Sequence, residues 1–260
     1  VEWGTKEAYH ARRASLVACP CLDLASYAEK IWGINRNNVR WVPNPYVPSS
    51  QFTSIPIGQK MMDEPLVIGF VGRVERRKGV EDLARAIPLI LTRYPNVIFR
   101  FVGAIGIHDV SKTPYDEWIH HQVGSVIANN VEFTGKIPLD SIADAYKSFD
   151  ICVLPSVWEN FPNTCLEAMS AGRAIVATWS GGMAEMLENG RHGRLIPPNN
   201  PTSLAEEVIL LLRNPEERVR LGRGARKRVT TAYSNAVIGG LTEEVYEEAI
   251  LKHAFHRNTQ

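Results

Sequence analysis

From residue 66 onward the sequence alternates short apolar, β-branched runs with longer stretches of helical spacing, and nothing else in it constrains the fold as much. Residues 66–71, Leu-Val-Ile-Gly-Phe-Val, read as a buried strand. Residues 81–94 carry Leu83, Ala84, Ile87, Ile90 and Leu91 on one face of a helix. Further strands are expected at 97–102, 131–133, 151–154, 174–177 and 194–196. Helices are expected at 119–128, 141–147, 164–171, 202–213 and 216–229. Repeated βα units predict an α/β fold, a Rossmann-like parallel sheet with helices on both faces. Ligands of such sheets bind outside the carboxyl ends of the strands. The loops that follow strands are therefore where chemistry is sought.

The opening of the chain has a different texture. Helices are expected at 5–13 and 24–31, and strands at 15–18 and 39–42, before Pro43-Asn44-Pro45 breaks the pattern. This is too short for a complete α/β domain, so residues 1–46 read as the remnant of a preceding domain. The Pro-, Ser-, Gln- and Gly-rich segment inside 47–64 reads as an interdomain linker. Residues 65–235 form the expected ligand-binding domain. Within 236–260, the helix at 243–255 is amphipathic, with Val245, Tyr246, Ala249, Ile250 and His253 at matching spacing. It is expected to pack back on the N-terminal segment. The chain opens Val1-Glu2-Trp3-Gly4 without Met, which reads as residues missing upstream.

Composition narrows the partners. A net charge of +1 gives no general argument for nucleic acid. No secretory signal and no apolar run long enough to span a bilayer is present. Cys19-Pro20-Cys21 has no matching second pair, so a zinc site is not indicated, and Cys152 and Cys165 sit in apolar or helical settings. A reducing, cytoplasmic compartment is the expectation.

The stretch Trp158-Glu159-Asn160-Phe161-Pro162-Asn163-Thr164-Cys165-Leu166-Glu167 lies between a strand and a helix. Asn163 is a strong N-cap residue, so the helix is expected to start there. Glu159 then lies in the loop and Glu167 early in the helix, eight residues on. The free amides of a helix N-terminus suit a phosphate. Carboxylates beside a phosphate would serve hydroxyls instead, which points to a nucleotide-sugar. A second stretch, Gly72-Arg73-Val74-Glu75-Arg76-Arg77-Lys78-Gly79, follows the first strand of the series. Arg73 and Lys78 suit a diphosphate, although the run reads equally well as a solvated basic loop that includes Arg76 and Arg77. Neither a P-loop nor a dinucleotide fingerprint occurs here. A third stretch, Ser180-Gly181-Gly182-Met183-Ala184-Glu185, permits close backbone approach to a ligand, or is an ordinary βα loop.

In this order and spacing the three stretches resemble the donor-binding, C-terminal half of the group 1 (family four) glycosyltransferases of GT-B fold. Asn189-Gly190-Arg191-His192-Gly193 and the Val42-Pro43-Asn44 turn are similar to the family pattern as well. The resemblance implies that Arg73 and Lys78 neutralise the donor diphosphate and Glu167 accepts the ribose hydroxyls. It implies that Glu159 meets the donor sugar, that Phe161 belongs to the donor-binding set, and that amides around Asn163, Thr164 and Cys165 hold the distal phosphate or the sugar. Gly103, Lys136 and Ile137 fall where the family places the nucleobase. Arg73, Lys78 and Glu159 are the implied catalytic residues.

The implied activity is hexosyl transfer with retention of configuration, from a nucleoside-diphosphate sugar to a saccharide or glycolipid in polysaccharide or glycolipid assembly. UDP is favoured over GDP by the family's breadth. No cofactor is expected and, without a D-x-D pair, no catalytic metal. The acceptor region would lie largely upstream, so this chain is expected to hold only the donor site, and peripheral membrane association through that region stays open. Two other readings compete: a non-catalytic nucleotide-sugar-binding fragment, and a glycosidase using Glu159 and Glu167. A sugar-nucleotide 2-epimerase or a glycogen phosphorylase relative has the same two-domain architecture, and the epimerases do not share this motif spacing well.

Overall fold

A computed structural model describes residues 2–58, 65–125 and 128–258, with side chains from Lys6 to Ala254. The chain falls into two compact units, Val1–Val47 with Thr230–Gln260, and Pro48–Val229.

In the first unit, α1 (Glu2–Arg13) precedes β1 (Val17–Cys19), α2 (Leu22–Trp32) and β2 (Val39–Trp41). The two strands pair in parallel. Helix α2 is capped by a cysteine: Leu24 N donates to Cys21 Sγ over 3.4 Å. The last helix of the chain, α11 (Asn235–Asn258), belongs to this unit. Its Glu248 accepts from Arg40 Nε of β2 over 2.7 Å. All four cysteines are buried thiols.

The second unit opens with a short helix, α3 (Ser50–Thr53). The segment after it does not behave as a linker. Arg226 Nη2 donates to Ile55 O over 2.7 Å, and the buried Arg173 donates to Pro56 O, fastening this stretch to the unit. The rest of the expected linker, residues 59–64, lies outside the described residues.

Six strands follow: β3 (Leu66–Val71), β4 (Val97–Val102), β5 (Val131–Gly135), β6 (Ile151–Leu154), β7 (Ala174–Thr178) and β8 (Arg194–Ile196). They form one parallel sheet in the order β5-β4-β3-β6-β7-β8. The chain starts at the centre, winds outward to β5, returns beside its start and winds outward again to β8. This doubly wound order has its topological switch point between β3 and β6. Every residue of β3, β6 and β7 is buried, which explains why these strands are unbroken apolar runs rather than alternating ones. Phe70, Phe101 and Phe133 stand in register across β3, β4 and β5, with neighbouring ring centroids 5.6 and 4.8 Å apart. Such aromatic pairs add about 0.5–1.5 kcal/mol each beyond their burial.

Between the strands run α4 (Val80–Leu91), α5 (Tyr115–Val123), α6 (Ile142–Ser148), α7 (Asn163–Ser170) and α8 (Met183–Met186), and after β8 come α9 (Pro201–Arg213) and α10 (Pro215–Ala232). Helix α4 packs on α5 and α9, whereas α7 packs on α3 and α8, so both faces of the sheet are covered. The stripe expected on α4 is the buried one: Leu83, Ala84, Ile87, Ile90 and Leu91 all lie in the core. The helix expected at 119–128 starts earlier, after Pro114, with Asp116 and Glu117 in its first turn, and stops at Gly124. Of the remainder, residues 126–127 lie outside the described residues. Among the described residues no helix is long and apolar enough to cross a membrane.

Candidate functional site

The two loops flanking the switch point, after β3 and after β6, are tied together. Val157 N donates to Arg77 O over 3.0 Å. Lys78 Nζ lies 2.5 Å and Arg77 Nη1 3.0 Å from the same oxygen, Glu159 Oε1. Lys78 and Glu159 are nearly shielded from water, with side chains 17 % and 12 % exposed, so this ion pair is screened far less than a surface one. The loop after β7 joins the same cluster. Gly182 N donates to Glu159 O over 3.0 Å, and a Cβ on Gly181 would lie 1.8 Å from that oxygen. Gly181 also has φ +70°, so the third motif is a place where only glycine lets two loops touch.

Arg73 lies apart from the Glu159 contact. Its side chain is 67 % exposed and its described partner is Glu75, 3.5 Å away. The arginine that reaches Glu159 is Arg77, which the sequence left among the solvated charges of the loop. Phe161 is buried.

Helix α7 begins one residue earlier than expected. Pro162, extended at φ −74° and ψ 128°, is the N-cap, and Asn163 is the first helical residue, its side chain exposed. Proline fixes the φ that the cap needs, which displaces Asn163 from that role. Cys165 N already donates to Pro162 O over 3.0 Å, so its amide is committed to the helix. Only the amides of Asn163 and Thr164 precede that bond. The Cys165 thiol is buried and pushed up to about 12, which keeps it protonated and inert.

Glu167 sits in the second turn of α7, half-buried. Burial raises its pKa, and a hydrogen bond from Tyr146 opposes that rise. Tyr146 Oη lies 3.0 Å from Glu167 Oε2 and 3.0 Å from Thr164 O. No signal in the sequence linked Tyr146 to this carboxylate.

Gly103, at the end of β4, meets the first loop: a Cβ there would lie 2.0 Å from Gly72 O. Its amide donates to Gly135 O over 2.9 Å, so the ends of β3, β4 and β5 are stitched side by side. Lys136 is exposed and Ile137 half-buried in the next loop, and no described bond joins either to the Glu159 cluster. The 240 Å³ cavity lined by Gln51, Ser54, Asp140, Asp144 and Lys147 shares no residue with this site. Among the described residues no group of three metal-ligating side chains converges.

Residues 53–228 match the model of the family described as glycosyl transferases group 1. An uncharacterized glycosyltransferase of Methanocaldococcus jannaschii is 35% identical over 190 residues, which is 73% of this chain and 47% of that protein. The chain spans about half the length of the curated relatives it matches. Among solved structures, sucrose-phosphate synthase of Thermosynechococcus elongatus superposes with TM-score 0.74 at 24% identity, over 95% of this chain and 61% of that one. HepE of Anabaena, in complex with UDP, gives 0.76 at 21% identity, over 91% and 65%. These structural likenesses establish the GT-B type of fold.

Proposed function

The chain belongs to the group 1 glycosyl transferases, and from that premise we propose that its larger unit is the donor site of a retaining hexosyltransferase that uses a UDP-sugar. The observation that carries this reading is the convergence of Lys78 and Arg77 on Glu159 at the switch point of the sheet. Cations there match a diphosphate, and the carboxylate they hold in place matches a sugar hydroxyl.

In this reading Lys78, Arg73 and Arg77 face the diphosphate, together with the amides of Asn163 and Thr164 at the start of α7. Glu167 accepts from the ribose hydroxyls. Gly103, Lys136 and Ile137 border the nucleobase, and Glu159 meets the donor sugar. In the reaction the bond from the anomeric carbon to the phosphate oxygen breaks, and both electrons leave with the nucleoside diphosphate. The acceptor oxygen bonds to the same carbon and gives its proton to the departing phosphate oxygen. Charge grows on the departing phosphate, so Lys78 and the arginines act most strongly at the transition state. No metal is required in this scheme, because these side chains supply the countercharge.

The complex of HepE with UDP supports the choice of base. A saccharide or glycolipid is the acceptor in this reading, and a cytoplasmic setting suits such a donor. A glycosidase reading is disfavoured, since Lys78 and Arg77 beside Glu159 would have no counterpart in a simple glycoside. Calorimetric titration with UDP, GDP, UDP-glucose and GDP-mannose, with and without magnesium, tests the proposal. Binding of a uridine nucleotide without metal is expected; binding of simple glycosides but no nucleotide would defeat it.

A further inference from the structure

We infer that Tyr146 is a positioning residue that presents the Glu167 carboxylate to a vicinal diol, so that the site selects ribonucleotides over 2′-deoxyribonucleotides. This rests on the donor-site reading above.

The geometry is specific. Tyr146 comes from α6 and is only 1 % exposed. Its ring packs against Phe52 and Phe149, with centroids 5.6 and 5.7 Å away, so the hydroxyl has little freedom. That hydroxyl holds one proton and lies between two acceptors, Thr164 O and Glu167 Oε2, each 3.0 Å away. With Glu167 ionised the charged acceptor wins the proton, since bonds to a carboxylate are roughly twice as strong as neutral ones.

Among the described residues no cation pairs with Glu167, and the Tyr146 bond is its one described side-chain bond. A half-buried carboxylate with a single partner is a poor choice for stability. It is a good choice for binding, because Oε1 and the second lone pair of Oε2 remain for two hydroxyl donors. Tyr146 thus holds one corner of the carboxylate, and that carboxylate and the Thr164 amide are carried by the same helix, α7. The diol-facing oxygen and the phosphate-facing amides are set in one frame. Donation from Tyr146 also favours the ionised form against burial, which is the form that accepts from both hydroxyls.

The test is calorimetric titration of the 260-residue chain with UDP and 2′-deoxy-UDP, and in parallel with GDP and 2′-deoxy-GDP. Wild type is expected to prefer the ribonucleotide by about tenfold or more, since a site built to bond a hydroxyl rejects the analogue lacking it. Tyr146→Phe is expected to lose most of that preference by weakening the ribonucleotide alone. Glu167→Gln should lose it as well, and adding Tyr146→Phe to Glu167→Gln should change little further. In wild type, ribonucleotide affinity should fall on acidification as Glu167 takes a proton, and in Tyr146→Phe that fall should move to higher pH. If Tyr146→Phe does not fold, 3-fluorotyrosine at position 146, a stronger donor, should move the fall to lower pH. An unchanged preference in Tyr146→Phe, or equal weakening of both nucleotides, overturns the inference while leaving the donor site standing. No binding of either ribonucleotide by wild type overturns both.

Discussion

Lys78 Nζ and Glu159 Oε1 lie 2.5 Å apart although 81 residues separate them in sequence. The lysine assigned to the diphosphate and the carboxylate assigned to the sugar are thus one unit. Their strands, β3 and β6, are neighbours across the switch point, and the loop that leaves each one ends in this contact.

Lys78→Ala is expected to weaken UDP binding by roughly ten- to hundredfold, the range for a lost hydrogen bond to a charged group. Lys78→Arg should recover part of it. Calorimetry reads both variants, and an unchanged affinity for UDP and UDP-glucose in Lys78→Ala would remove Lys78 from the donor site.

Gly181→Ala should destabilise the fold more than Gly124→Ala. Both glycines have positive φ, +70° and +81°, so both substitutions strain the backbone. Only at Gly181 would the new Cβ also collide, 1.8 Å from Glu159 O; at Gly124 nothing lies within 4 Å. Urea unfolding of the two variants side by side measures the difference. Equal losses would mean that the loops after β6 and β7 yield at no cost.

Glu167 should oppose stability at neutral pH. Burial raises its pKa, so between the ordinary carboxylate value and the raised one the folded chain binds more protons than the unfolded chain. Stability therefore falls as pH rises through that window, and the deficit persists above it. Glu167→Gln is expected to melt higher than wild type at about pH 7 and to converge with it at about pH 3.5, below the ordinary carboxylate range. A lower melting temperature for Glu167→Gln at neutral pH would contradict the sign.

Arg173 should be a structural cation. It is 9 % exposed and donates to Ala171 O and Phe149 O, each over 2.9 Å, as well as to Pro56 O. Arg173→Met removes the donors and leaves buried carbonyls unmet, with an expected loss of about 3 kcal/mol. Denaturant unfolding measures it, and limited proteolysis should show residues 54–58 exposed. A variant as stable as wild type would show that water replaces the guanidinium.

Much of the fold was legible because its signals are local. Continuous apolar runs marked β3, β6 and β7 since both sheet faces are covered, and helical spacing marked α4 because one face is buried. The loops holding Glu159 and Lys78 could be found the same way, as the segments that follow strands. Boundaries set by a single residue were less legible: Pro162 took the cap expected of Asn163, and Gly124 cut α5 short.

The sequence by itself determined the layered parallel sheet and the three loops at its carboxyl edge, because periodicity and turn residues act over a few positions. Only the tertiary structure decided which groups meet there. Arg77, rather than Arg73, reaches Glu159 across 82 residues, and Tyr146 reaches Glu167 across 21. Both pairings depend on the strand order, which sets β3 beside β6 and brings α6 against α7. No spacing within the chain encodes that order, because it comes from how the whole sheet buries its two faces.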